Sequence, residues 1–79
     1  EYCAPCGYAQ RVLALNDEVF KIREIEHHIR SWTLLPSSGG CFELTINGEN
    51  VFSKRSLGRH AEPGECLSLI QARVPKLMP

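Results

Sequence analysis

The chain has no long hydrophobic run. Its longest unbroken apolar stretch is Val12-Leu13-Ala14-Leu15. A membrane-spanning helix needs roughly 20 such residues, so no membrane association is expected. It also lacks a charge imbalance: Lys+Arg and Asp+Glu both number 9. Neither nucleic acid nor an anionic membrane is suggested as a partner by that balance. No secretory signal pattern opens it. A disulfide-stapled extracellular framework is therefore the weaker reading of its four cysteines, and a cytoplasmic, reducing setting is expected. There is no internal repeat, low-complexity tract or linker. The 79 residues are expected to form one domain over residues 1–79. A chain this short buries only about two-thirds of its unfolded surface. A two-layer fold without room for a large substrate cavity follows.

Helical periodicity comes first along the chain. Val12, Leu15, Val19 and Ile22 recur at alternating steps of three and four, which places them on one stripe of a helix. Leu13 and Phe20 widen the stripe, and the helix is predicted from about Gly7 to Ile22. A charged stretch from Arg23 to Arg30 follows. Ser31-Trp32-Thr33-Leu34-Leu35 then reads as a strand, and Pro36-Ser37-Ser38-Gly39-Gly40 as a turn. Phe42, Leu44 and Ile46 alternate with Glu43 and Thr45, the pattern of a half-buried strand. Asn47-Gly48 is the pair a tight hairpin turn favours, since both central positions need positive φ. The return strand is predicted at about Asn50 to Lys54.

Gly58 to Gly64 reads as a loop. Pro63 suits the first turn of a final helix, where its missing N–H costs nothing. Leu67, Ile70 and Val74 carry that helix, and Pro75 ends it. A strand–helix–strand start followed by a hairpin implies a mixed sheet packed with helices, an α/β fold. The first strand is the weak point. Only Glu1, Tyr2 and Cys3 precede the Cys-x-x-Cys turn, whereas a strand normally has about five residues. A few further apolar residues before Glu1 are expected in the natural protein.

Cys3 and Cys6, in Tyr2-Cys3-Ala4-Pro5-Cys6-Gly7, are the candidate catalytic residues. Two cysteines three apart can close a small disulfide ring where the chain turns. Pro5 stiffens that turn, and Gly7 removes a side chain beside the sulfurs. A helix opening at Gly7 would aim free N–H groups toward Cys6 and lower its pKa. The thiolate is the nucleophile of disulfide exchange, so the place creates reactivity. Two other readings compete. The pair could be half of a zinc site, but Cys41, Cys66, His27, His28 and His60 offer no familiar spacing for the other half. It could also be inert. Cys41 reads first as a small buried hydrophobe and second as a third thiol for mixed disulfides. Cys66 reads as packing or surface, His27 and His28 as solvated, and Trp32 as core.

These blocks resemble the selenoprotein W-related family, also called the Rdx family. The opening is similar: Tyr2-Cys3-x-x-Cys6-Gly7-Tyr8 at the mouth of a helix. So is the hairpin Gly39-Gly40-Cys41-Phe42-Glu43-Leu44 with Asn47-Gly48 and Val51-Phe52-Ser53-Lys54. Gly58-Arg59 and Glu62-Pro63-Gly64-Glu65 resemble the family's loop into its last helix. The resemblance implies a thioredoxin-like fold, β-α-β-β-β-α, with a four-stranded mixed sheet and two helices. It implies a redox role in cell redox homeostasis. Glutathione or a thioredoxin-type reductant would be the partner, with an unidentified protein partner beside it. No resident cofactor and no metal are implied. Selenium-containing members carry selenocysteine where Cys6 stands, so the resemblance makes Cys6 the attacking sulfur and Cys3 the resolving one; thioredoxins proper assign the roles the other way round. His60-Ala61 departs from the family's aromatic–proline pair beside the motif, and Gly39-Gly40 stands where thioredoxins have a cis-proline. The alternative function is a protein-interaction module gated by the cysteine pair, with Phe42 and the His60 loop near its binding face.

Overall fold

The computed structural model describes residues 1–74. Its elements run β1 (Tyr2–Cys3), α1 (Ala9–Phe20), α2 (Arg23–Glu26), β2 (Pro36–Ser37), β3 (Glu43–Ile46), β4 (Glu49–Ser53), α3 (Lys54–Leu57) and α4 (Glu65–Gln71). This is a mixed α/β fold. The principal helices, α1 and α4, stand where the periodicity places them, and α2 and α3 are single turns beyond the expected two helices. Pro75, expected to end the last helix, lies outside the described residues.

α1 buries Val12, Leu15 and Val19. It starts at Ala9 rather than Gly7 because Gly7 sits at φ +79, outside the helical region. It stops because Ile22 is extended, with φ −98 and ψ 103. The stripe is narrower than expected. Leu13 is 51% exposed, while Phe20 is half-buried with its ring 5.2 Å from Trp32. The charged stretch is not wholly solvated: Ile25 in α2 is buried with the core.

Two two-stranded sheets form among the described residues. β1 pairs with β2 in parallel, and β3 pairs with β4 antiparallel. They are stitched by one antiparallel bridge, Tyr2 to Phe42. Along β1 the amides alternate sides. Tyr2 N donates to Leu35 O at 3.0 Å, Cys3 N to Cys41 O at 2.9 Å, and Ala4 N to Ser37 O at 2.9 Å. The expected strand at residues 31–35 is absent, and Pro36–Ser37, read as turn, is strand instead. The reason is pairing. A strand needs a neighbour for its ladder, and on this side the parallel register of β1 stops at Pro36 and Ser37, reaching residues 31–35 only through the bond to Leu35 O.

A cleft of about 770 Å³ is lined by Glu1 and Tyr2, by residues 28–35 and by β3. The chain therefore does have room for a sizeable cavity. Trp32, Leu44 and Ile70 are among the residues that line it.

The hairpin is closed by Asn47 at φ 51 and Gly48 at φ 82, the two positive values the turn requires. The register slips once: Leu44 faces Phe52 but Thr45 faces Asn50, leaving Val51 as the extra residue of a bulge. The Asn50 side-chain amide spans the slip, donating to Leu44 O at 3.2 Å and Phe52 O at 3.1 Å. Phe42 and Phe52 lie buried beneath, ring centroids 6.2 Å apart. α4 adds Cys66 and Ile70 to the core. Pro63 lies ahead of α4 rather than in its first turn. Glu65 N donates to Glu62 O at 3.0 Å, and Gly64 takes φ 80, ψ −6. That is a type II turn, with proline and glycine in the two positions that favour them.

The candidate redox site

The Cys-x-x-Cys segment is the turn between β1 and α1. Gly7 N donates to Ala4 O at 3.0 Å, which makes Ala4-Pro5-Cys6-Gly7 a β-turn. Proline second and glycine fourth are residues that such turns favour. Tyr8 N donates to Cys3 O at 3.3 Å and ties the turn back to the strand. The Cα atoms of Cys3 and Cys6 come to 5.3 Å, inside the range a disulfide spans, and the two sulfurs are joined in one. A Cβ built on Gly7 would touch nothing within 4 Å. Its role is the left-handed φ that turns the chain into α1, and not the space beside the sulfurs that the sequence suggests.

The two sulfurs have unlike surroundings. Cys3 belongs to the sheet and is 1% exposed. Cys6 rides on the turn and is exposed. Among the described residues, no backbone acceptor takes the amides of Ala9 and Gln10, which open α1, and no side chain caps that end. These groups form the positive end of the helix dipole, immediately after Cys6 and Gly7.

Other side chains complete the surroundings. The His60 ring meets Tyr8 edge-on at 4.8 Å. The loop that departs from the family pattern therefore does border the motif. Burial pushes the His60 pKa down, and the nearby charges of Arg11 and Lys54 push it the same way. Lys54 Nζ lies 5.8 Å from the centre of the Tyr8 ring, and 3.9 Å from where a Gly40 Cβ would stand. Lys54 and the neutral-leaning His60 thus gather at Tyr8, one residue past the turn, with the charge of Arg11 acting on His60. Sequence reading missed Lys54 because only the tertiary fold brings the first residue of α3 against Tyr8.

The remaining candidates fall elsewhere. Cys41 is free and 0% exposed. Cys66 is free and buried, and burial pushes its thiol up to about 11, aided by Glu65 and Glu18. His27 and His28 follow α2 with ring centroids 5.8 Å apart, His27 exposed and His28 half-buried. Among the described residues no group of three His, Cys, Asp or Glu side chains is placed to hold a metal ion. Phe42 is buried against Phe52 and also lines the cleft. Arg59, Glu65 and Glu62 knit the loop ahead of α4. Both Arg59 nitrogens donate to the Glu65 carboxylate, at 2.8 and 2.9 Å. Those bonds, with one from Glu62 N, hold the Glu65 pKa down to about 2.

The sequence matches the Rdx family over residues 1–72. The chain belongs to the Rdx family. The match runs through the cysteine turn, the hairpin and the loop into α4. No curated protein and no solved structure matches the chain at a significant level. For this Rdx protein, family membership and a joined Cys3–Cys6 pair point together to a redox-related function. No helix of the described residues is long and apolar enough to cross a membrane.

Proposed function

We propose that this Rdx protein is a thiol–disulfide redox protein in which Cys6 attacks and Cys3 resolves. The carrying observation is the contrast in exposure across one disulfide: Cys6 is accessible and Cys3 is buried. Only an accessible sulfur can meet the disulfide of another molecule. The uncapped helix end that follows Cys6 favours its thiolate.

In the reduced protein the Cys6 thiolate attacks a partner disulfide. One partner thiolate leaves and a mixed disulfide forms at Cys6. The Cys3 thiolate then attacks the Cys6 sulfur. This forms Cys3–Cys6 and releases the second partner thiolate, so the partner gains the two electrons that the cysteine pair loses. Glutathione or a thioredoxin-type reductant returns the pair to dithiols, as expected of a cytoplasmic setting. The fold reading is part of the same proposal. β2-β1-β3-β4, joined through the Tyr2–Phe42 bridge, supports a thioredoxin-like four-stranded sheet with α1 and α4 against it.

The test is a titration in glutathione buffers of graded poise, with thiols trapped by alkylation and counted by mass. One two-thiol transition carried mainly by Cys3 and Cys6 is expected, reversed by glutathione or a thioredoxin system. Cys3→Ser should stop at the mixed disulfide on Cys6. Cysteines 3 and 6 that both stay unreactive toward an alkylating reagent at neutral pH would falsify the reading.

A further inference from the structure

The bridge from Tyr2 to Phe42 sets a register that reaches one residue further. With Tyr2 opposite Phe42 in antiparallel pairing, Cys41 stands opposite Cys3. The bond from Cys3 N to Cys41 O, 2.9 Å long, belongs to that pair. Directly opposed residues project to the same face of a sheet, with Cβ atoms about 4.5–5.5 Å apart. Their Cα atoms lie about 5.5 Å apart when the pair is hydrogen-bonded. The Cα spacing suits a disulfide, while the Cβ spacing must close by about 1 Å. The chain ahead of Cys41 can supply that movement. Gly39 and Gly40 precede it at φ 81 and 75, with no side chains to anchor them. Both sulfurs are enclosed, at 1% and 0% exposure, and Cys41 is a free thiol.

We propose that Cys41 is a third redox thiol, which exchanges with the Cys3–Cys6 disulfide to form Cys3–Cys41. The step rests on the redox reading above. Cys41 loses its proton and its thiolate attacks the Cys3 sulfur. The Cys3–Cys41 bond forms and the Cys3–Cys6 bond breaks. The electron pair leaves on Cys6, which can take up the proton. Nothing is oxidised or reduced overall. The result moves the disulfide from the surface turn into the sheet and returns Cys6 as an exposed thiol. The protein can thus hold an oxidised core bond and an attacking thiol at once. Cys66 has no such role, since it lies on α4 and pairs with neither strand.

Disulfide mapping of the whole chain tests this. Cleavage after Lys and Arg puts Cys3 and Cys6 on one peptide, Cys41 on a second and Cys66 on a third. Cys6→Ser, oxidised with glutathione disulfide, is expected to yield the Cys3–Cys41 cross-link as its main oxidised product, with two glutathione molecules released. Cys6→Ser with Cys66→Ser should keep the cross-link. Cys6→Ser with Cys41→Ser should give only a glutathione adduct on Cys3. The wild type, equilibrated in a glutathione buffer, should show Cys3–Cys41 beside Cys3–Cys6. Circular dichroism establishes that each variant is folded, and the wild-type map needs no variant. The inference is overturned if the wild type forms Cys3–Cys6 but no Cys3–Cys41 appears in it or in Cys6→Ser. A wild type that forms no Cys3–Cys6 disulfide would instead defeat the underlying redox reading.

Discussion

The His60 ring packs edge-on against Tyr8, with centroids 4.8 Å apart. This contact joins the loop before α4 to the residue that opens α1, one step past the cysteine turn. Burial, with Arg11 and Lys54 nearby, lowers the His60 pKa below its ordinary 6.5. The unfolded chain then binds the proton more readily than the folded one. The contribution to stability is present above about pH 6.5 and is lost as pH falls through the lower, folded value. Thermal melts at pH 7.5 and 5.5 should show a larger loss on acidification for the wild type than for His60→Gln. Equal losses would remove His60 as the cause.

The unequal exposure of the cysteine pair predicts an order of labelling. In reduced protein at neutral pH, Cys6 should alkylate first and Cys3 several-fold more slowly. Cys41 and Cys66 should react last, Cys41 because it is enclosed and Cys66 because its thiol is also pushed up to about 11. Denaturant should bring all four to similar rates. Time-resolved mass spectrometry reads this directly, and early labelling of Cys3 would reverse the assignment of roles.

Gly7 carries the left-handed turn into α1 at φ +79, with open space around its Cα. Gly7→Ala should therefore cost backbone strain and no clash, about 1–2 kcal/mol. Gly7→Asn should cost less, since asparagine tolerates this region better. Urea unfolding of the oxidised forms measures both. An alanine variant as stable as the wild type would mean that the turn can adopt another path.

Phe52 is 2% exposed in the core cluster and faces Phe42. Phe52→Ala should cost about 3–5 kcal/mol, a large share of what a domain this small holds in reserve. Asn50→Ala should cost less, about 1–3 kcal/mol for two hydrogen bonds across the bulge. Its effect should be greatest on amide exchange in β3 and β4. Chemical denaturation gives the totals and hydrogen exchange the location.

Much of the site is legible without a structure. The Cys-x-x-Cys spacing, Pro5 and Gly7 mark a turn, and the stripe Val12, Leu15 and Val19 marks the helix behind it. Asn47-Gly48 marks the hairpin. Local chemistry dictates each of these, so nearby residues suffice to read them. The strand at residues 31–35 misleads for the opposite reason. Trp32 and Thr33 have strand character, but a strand is made by its partner, and the parallel register of β1 stops at Pro36 and Ser37. Leu13 misleads similarly: its spacing fits the stripe, yet it stays 51% exposed, with no element among the described residues covering it.

The sequence by itself determined that Cys3 and Cys6 could close a ring at a strand-to-helix turn, because that depends on the two residues between them and the φ preferences of proline and glycine. Tertiary structure alone decided that Cys3 is enclosed and Cys6 open. It alone brought Lys54 and His60 to Tyr8, one residue past the turn, and set Cys41 opposite Cys3. Exposure and cross-strand register arise from packing between segments some forty residues apart, and no local pattern carries that information.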